Sequence, residues 1–217
     1  MEGCKIRPQI GVTQHMNLTF REYCRRIFTL LALLLFAFAP GIGWSGTLTR
    51  INPELTAVDG DTQALHQQML AQNAERNYAS AIDAAQSIVG QIESRQGNPA
   101  EAYLNLGLLQ AAAGDLATAI ETVGRSIEAG EAHGGGVDPG LIRALEVKGL
   151  LLRLTGKLDD ATLALRRAQH LVHRSFGVNS TEQQDILDQL TLVQLQARDV
   201  EGAIAQQEFS YRTFVDQ

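Results

Sequence analysis

Cysteine, aromatic side chains and excess positive charge are all scarce in this 217-residue sequence. The two cysteines, Cys4 and Cys24, precede an apolar run at 27–39, so the chain beyond that run has no cysteine for a disulfide. Aromatic residues make up only 6%, which favours closely packed helices of small and straight-chain residues over aromatic-rich sheets. The formal net charge of −6 argues against a general attraction to nucleic acid, and we expect no nucleic-acid partner.

The N-terminal segment has the layout of a secretory signal. Three arginines between positions 21 and 26 precede the apolar run at 27–39, and small residues including Gly43 and Ser45 follow it. The run is thirteen uncharged residues long, shorter than the ~20 that a membrane-spanning helix needs. We therefore predict that residues 1–45 are a signal peptide cleaved after Ser45, with an uncleaved membrane anchor as the alternative. Met16 is an alternative start that would give a signal of ordinary length.

A pattern of small residues recurs every 42 positions through the rest of the chain. One column holds Gly107, Gly149 and Thr191, and a second holds Ala119, Ala161 and Ala203. Between the two columns lie short turn sequences, Gly-Asp-Leu at 114–116, Gly-Lys-Leu at 156–158 and Arg-Asp-Val at 198–200. A weaker copy lies upstream at 64–88, with Arg-Asn-Tyr as its turn. Self-similarity at a fixed period of this length is typical of helical-repeat proteins.

These columns resemble the tetratricopeptide repeat, in the 42-residue form seen in kinesin light chains. The residues of the second copy that carry the resemblance are Tyr103, Leu106, Gly107, Gly114, Asp115, Ala119, Ile120 and Ser126. The resemblance implies an all-α, right-handed superhelix (an α-solenoid) of about four helical hairpins behind the N-terminal signal or anchor helix. We place a flexible lead-in at 46–60 and the repeat domain at 61–217, with hairpins at about 62–94, 99–131, 141–174 and 182–217.

Small side chains have a physical role in such a hairpin. Glycine or alanine on the facing sides of two helices allows a helix–helix distance shorter than the usual 8–10 Å, and Gly114 suits the left-handed conformation that ends a helix. One long coiled helix is the alternative, but interior glycines cost about 1 kcal/mol each, and the segment at 130–140 is predicted to be a loop. The residues predicted to pack within or between hairpins are Gly107, Gly114, Ala119, Gly149, Gly156, Ala161, Ala168, Thr191 and Ala203.

In a solenoid the first helix of each hairpin lines the concave groove. The repeat register predicts that twelve residues face this groove: Leu104, Asn105, Leu108, Ala112, Glu146, Leu150, Arg153, Leu154, Asp188, Gln189, Leu192 and Gln196. Leucines there would bury a bound peptide or helix, and amides would bond its backbone. The alternative is that the recurring Leu108, Leu150 and Leu192 only pack between neighbouring repeats.

No catalytic constellation or cofactor motif stands out, so we expect a protein that is not an enzyme and needs no cofactor. His170 and His173 are three residues apart on a predicted helix, and a metal-binding protein or enzyme using them is the alternative from another class. Phe209, Tyr211 and Phe214 lie in the last hairpin, which no capping helix follows. Self-association, partner binding or a truncated chain would each account for that end.

The sequence therefore predicts a non-catalytic scaffold of the bacterial cell envelope that binds a peptide or helix of a partner protein in its groove. Its localisation would be periplasmic after signal cleavage, with no membrane contact apart from the N-terminal segment. The alternative is an assembly factor held in the inner membrane by the uncleaved segment, with the same repeats facing the periplasm.

Overall fold

The computed structural model describes residues 51–52 and 59–215, and every regular element in these ranges is helical. The predicted signal or anchor at 1–45 lies outside them. None of the helices in these ranges is long and apolar enough to cross a membrane. The eight α-helices of this part are α1 (Gly60–Ala74), α2 (Tyr78–Ser94), α3 (Ala100–Ala112), α4 (Leu116–Gly134), α5 (Leu141–Leu154), α6 (Leu158–Phe176), α7 (Gln184–Gln196) and α8 (Val200–Val215). A short 3-10 helix, Thr181–Gln183, precedes α7.

The helices pair into four hairpins in chain order, α1/α2, α3/α4, α5/α6 and α7/α8. The second helix of each hairpin packs against the first helix of the next one, and α5 also contacts both α3 and α7. Because every hairpin packs on its neighbour in sequence, the described chain is a stacked array of helical pairs. The prediction of an all-helical repeat is confirmed.

Two glycine positions explain how closely the paired helices approach. A Cβ atom added at Gly107 would lie 2.6 Å from Val123 Cγ2, and one added at Gly149 would lie 2.6 Å from Leu165 Cγ. Any larger residue on the first helix would therefore collide with the second. The other residues of the small-residue columns are buried as predicted: Ala119, Ala161, Ala168, Thr191 and Ala203.

The remaining two hairpins fill the same position with different side chains. In the last hairpin Thr191 replaces glycine, and its hydroxyl accepts a hydrogen bond of 2.9 Å from Gln207 Nε2. In the first hairpin the large and small residues change places. The buried Met69 stands in the glycine column of the first helix, and the buried Ala85 stands at the position of the second helix that faces it. Each hairpin thus pairs a small residue with a large one, except the last, which uses a polar pair.

All four hairpin turns contain a residue with a left-handed backbone. Gly114 and Gly156 have φ of 92° and 78°, while the equivalent Arg76 and Arg198 have φ of 58° and 63°. The next helix begins directly afterwards, and in the second hairpin Asp115 Oδ1 caps it by accepting from the Thr118 N–H at 3.1 Å. The turn thus keeps its geometry even where glycine is absent.

The fourth helix is longer than the sequence predicts. Residues 130–134 belong to α4, whereas we predicted a loop at 130–140 and a hairpin ending near 131. Gly130 is buried, and a Cβ atom there would lie 2.6 Å from Leu141 Cδ2. This glycine therefore serves a close helix–helix approach inside a helix, and the loop begins only at Gly135, whose φ is 81°.

We predicted a flexible lead-in at 46–60, and those of its residues that the structure describes differ from that prediction. Ile51 is buried in a cluster formed by α1, α2 and α3. Asp59 caps α1 by accepting from the Thr62 N–H at 3.0 Å, and it forms an ion pair with Arg95 at the end of α2. These residues of the lead-in are thus part of the folded body.

Candidate functional site

The structure divides the twelve predicted groove residues into a buried set and an accessible set. Leu104, Leu108 and Leu150 belong to the larger hydrophobic cluster, and none is more than 8% exposed. These three side chains are therefore buried and do not line an open groove in the described chain, and for Leu108 and Leu150 this is the packing that the alternative supposed. Leu154 and Leu192 are half-buried, and Leu154 packs against the edge of the same cluster.

Three of the accessible residues come together across the third and fourth hairpins. Arg153 on α5 donates from Nε to Gln189 Oε1 at 3.1 Å and from Nη1 to Gln196 Oε1 at 3.4 Å, both on α7. These positions are 36 and 43 residues away in sequence. The repeat register places all three on one face, and the geometry makes them a single polar cluster, which we call the Arg153 cluster.

The Arg153 guanidinium has amide partners but no carboxylate partner among the described residues. The two ion pairs in this part of the chain join Arg95 to Asp59 and Arg167 to Glu131. Burial lowers the pKa of Arg153, and no neighbouring charge offsets that effect. An arginine nevertheless stays protonated at neutral pH, so the cluster presents a partly desolvated positive charge.

The opposite end of the same face is acidic. Burial raises the pKa of the Glu146 carboxyl to about 7, and the nearby Asp185 carboxylate adds to the rise. Arg143 acts in the opposite direction, and Glu182 contributes a further small increase. Glu146 precedes Arg153 by seven residues on α5, which is about 10 Å along a helix axis. The face between α5 and α7 therefore has an end rich in carboxyl groups and an end that carries the Arg153 charge.

The remaining groove candidates take separate positions. Asp188 is exposed, and its Oδ1 accepts a hydrogen bond of 3.3 Å from Gln184 Nε2. Ala112 is half-buried at the end of α3. Neither residue belongs to the Arg153 cluster.

Asn105 on α3 is almost fully buried, with 1% of its surface exposed. Its Oδ1 accepts a hydrogen bond of 3.0 Å from the backbone N–H of Asn52 in the lead-in. Sequence reasoning selected Asn105 but missed Asn52. The available signal was local, because Asn52 precedes Pro53 and a residue before proline favours an extended backbone.

The two histidines do not form part of a recognisable metal site. His173 Nε2 lies 2.8 Å from Gln183 Oε1, at the connection between the third and fourth hairpins, and His170 is exposed. Within residues 51–52 and 59–215, no group of three histidine, cysteine or acidic side chains is arranged to hold a metal ion. Nothing in this geometry adds a third ligand to the pair.

The last helix carries an apolar stripe that the sequence analysis recognised only in part. Tyr211 is 41% exposed and Phe209 is half-buried, whereas the side chain of Phe214 lies outside the described part. Val200 and Ile204 are more exposed still, at 58% and 52%. Their equivalents one hairpin earlier, at 158 and 162, are half-buried.

Comparison with known proteins supports the fold and does not identify a family. No protein-family profile and no curated protein matches the sequence. The structure is similar to the crystal structure of BtubC (BKLC) from P. vanneervenii, with a TM-score of 0.65 and 15% sequence identity. The similarity covers 71% of this chain but only 63% of that one, so the chain spans less than two thirds of BtubC. This similarity supports a tetratricopeptide-like helical-repeat fold for the chain.

Proposed function

We propose that this protein is a non-catalytic interaction scaffold that binds a peptide or helix of a partner protein. Tetratricopeptide-like folds generally bind protein partners, which supports this class of function. Hairpins stacked with a constant small rotation wind into a superhelix whose first helices line one face. We infer the right-handed winding of the family here, with α5 and α7 forming the part of the groove that the third and fourth hairpins contribute.

The observation that carries the proposal is the Arg153 cluster. A half-buried guanidinium without a carboxylate keeps much of its desolvation cost uncompensated until an anion arrives. Arginine binds carboxylates through two parallel hydrogen bonds, which adds both strength and orientation. Leu154 and Leu192 are half-buried on the same two helices and offer apolar contact next to the charge. A partner segment carrying a carboxylate and an apolar side chain is therefore the ligand that this face suits.

The acidic end of the face favours one direction of binding. A ligand with its carboxylate on Arg153 would extend toward Glu146 and Asp185, which suit a positively charged or amide group. Reversing the ligand would place like charges opposite each other, and such juxtapositions cost several kcal/mol at an interface. We propose that this polarity fixes the orientation of the partner.

The test is the affinity of a partner identified by in vivo photo-crosslinking from position 192. We expect Arg153→Gln to weaken binding of the purified partner at least tenfold, because it removes the charge while keeping a polar side chain. Arg174→Gln is the matched control, since Arg174 is exposed on α6. Equal affinity of the Arg153→Gln variant and the wild type would refute the assignment of this face.

We also propose that the protein is exported to the bacterial cell envelope, on the basis of the charge and hydropathy of residues 1–45. The repeats would be periplasmic after cleavage behind Ser45, with an uncleaved inner-membrane anchor as the alternative. Intact-mass measurement of the protein from fractionated cells separates the two, because cleavage removes 45 residues. Recovery of the full-length mass from the membrane fraction alone would favour the anchor.

A further inference from the structure

The lead-in of this chain already occupies part of the repeat surface as a bound segment would. Ile51 is 7% exposed and packs in the cluster that contains Met69, Leu106 and Leu109. The next residue, Asn52, donates its backbone N–H to Asn105 Oδ1. Extended peptides bound by other proteins are held by the same two kinds of contact, main-chain hydrogen bonds and pockets for side chains.

The side chains at and near Asn105 have hydrogen-bonding groups that the contact with Asn52 leaves unused. The Asn105 side chain is only 1% exposed, and its buried Nδ2 has no hydrogen-bond partner among the described residues. Glu101 Oε1, one helical turn earlier on α3, is also buried and has no hydrogen-bond partner in the described part of the chain. A side-chain amide can accept from a backbone N–H and donate to a backbone carbonyl at the same time. Within residues 51–52 and 59–215, Asn105 has only the first of these two bonds.

We infer that Asn105 and its surroundings on α3 form a recognition site for an extended backbone with a branched apolar side chain, and that Ile51–Asn52 is its internal ligand. A partner segment of the same chemistry binds there by displacing the lead-in. We call this the Asn105 site. It does not depend on the Arg153 cluster, since Asn105 lies on α3 and Arg153 lies on α5.

The attachment of the lead-in makes such an exchange possible. Asp59, eight residues after Ile51, is fixed by its cap on α1 and its ion pair with Arg95. A segment attached so close to its site has a high effective concentration, so few contacts are enough to keep the site filled. An external ligand must compete with the lead-in. The apparent affinity of that ligand is its intrinsic affinity multiplied by the fraction of time that the site is open.

The experiment uses the full chain and a fluorescent peptide of residues 47–56 as the probe. In the wild type the lead-in competes with the probe, so we expect weak binding. Ile51→Asp makes the internal segment unfit for the apolar cluster, and we expect this variant to bind the probe at least tenfold more tightly. Ile51→Val is the matched control, because it keeps a branched apolar side chain and should behave like the wild type.

Changing the peptide instead of the protein leaves the folding of the protein unaffected. A peptide methylated on the backbone nitrogen of its Asn52 has no N–H to donate to Asn105, so we expect it to bind the Ile51→Asp chain at least tenfold more weakly. A peptide carrying Asp in place of Ile51 should also lose binding. Equal probe affinity for the wild type and Ile51→Asp, or no effect of the methyl group, would overturn the inference. Arg153→Gln, combined with Ile51→Asp, should leave probe binding unchanged, which separates this site from the partner face.

Discussion

At the scale of single residues, the hairpins depend on a few positions where side-chain size or backbone conformation is fixed by a neighbour. Gly107 and Gly149 admit no Cβ because a branched side chain lies directly opposite. Gly114 and Gly156 face open space, and their role is only to adopt a positive φ. Glycine therefore recurs in this sequence for two different physical reasons, and the two are separable by mutation.

The first prediction concerns the close-approach glycines. Gly149→Ala should lower the free energy of unfolding by about 1–3 kcal/mol, because the new methyl group overpacks against Leu165. Gly90→Ala is the control, since a Cβ there meets nothing within 4 Å and the change should stabilise α2 by about 0.5–1 kcal/mol. Urea unfolding of both variants measures the difference. Stabilisation by Gly149→Ala would contradict the close approach. In a Leu165→Ala background the further loss caused by Gly149→Ala should be smaller, because the new methyl group then meets no leucine side chain.

The second prediction concerns the left-handed turn residues. Arg198→Gly should stabilise the protein by about 1 kcal/mol, because an L-residue in this conformation carries a strain of about 1–2 kcal/mol that glycine avoids. The reverse change, Gly114→Arg, should destabilise it by a similar amount, although its Cβ meets no other atom. Thermal unfolding of the two variants measures both the expected stabilisation and the expected destabilisation. Shifts of the same sign would show that contacts, and not the backbone, control these turns.

At the scale of helices, the packing of α7 on α5 is where charge and burial interact. Burial makes the Glu146 carboxyl on α5 costly to ionise, and the charge of the Asp185 carboxylate at the start of α7 adds to that cost. The neighbouring Arg143 offsets only part of this cost, since the pKa of Glu146 still rises to about 7. We therefore expect the contact between these two helices to depend on pH.

The third prediction follows from that shift. The folded chain holds the Glu146 proton more tightly than the unfolded chain, whose carboxyl has a pKa near its ordinary value of 4.5. Stability from this group is thus fully present below about pH 4.5 and falls as the pH rises to about 7 and above. We expect Glu146→Gln to remove this fall, so that the variant is more stable than the wild type at pH 8.

The control for Glu146 is Glu121→Gln, because Glu121 is exposed on α4. Urea midpoints of the wild type and both variants between pH 4.5 and 8.5 make the comparison. A wild-type curve that stays parallel to the Glu146→Gln curve over this range would rule out the effect.

At the scale of the whole molecule, stability is a sum of hairpins and of the interfaces between neighbours. The larger hydrophobic cluster draws mainly on the second and third hairpins, and only Ile186, Leu190 and Val193 join it from the fourth. The fourth hairpin also replaces the glycine contact with the Thr191–Gln207 hydrogen bond. The array should therefore open first at its last described hairpin.

The fourth prediction tests this order by native-state hydrogen exchange. Amides of α7 and α8 should exchange with a lower opening free energy than those of α4 and α5. The double change Thr191→Gly with Gln207→Leu copies the Gly149–Leu165 pair and should slow exchange in the fourth hairpin selectively. Uniform protection along the array, or an unchanged exchange pattern in the double variant, would contradict the idea that the Thr191–Gln207 pair makes the fourth hairpin the least stable.

The sequence by itself determined the helical fold, the pairing of helices and the positions of the turns. The helices and turns follow from local periodicity and from the left-handed preference of Gly114 and Gly156, which act over a few residues, and the pairing follows from small residues that recur at one spacing. The extent of α4 was missed because Gly130 reads as a helix breaker until its contact with Leu141 is known.

Only the tertiary structure decided which candidates became buried and which became a site. Leu108 and Arg153 were predicted for the same face, yet one is in the core and the other holds Gln189 and Gln196. Asn105 is bound by a residue 53 positions earlier in the chain. Burial, missing counter-charges and shifted pKa values depend on neighbours that are distant in sequence, and a periodic pattern carries no information about them.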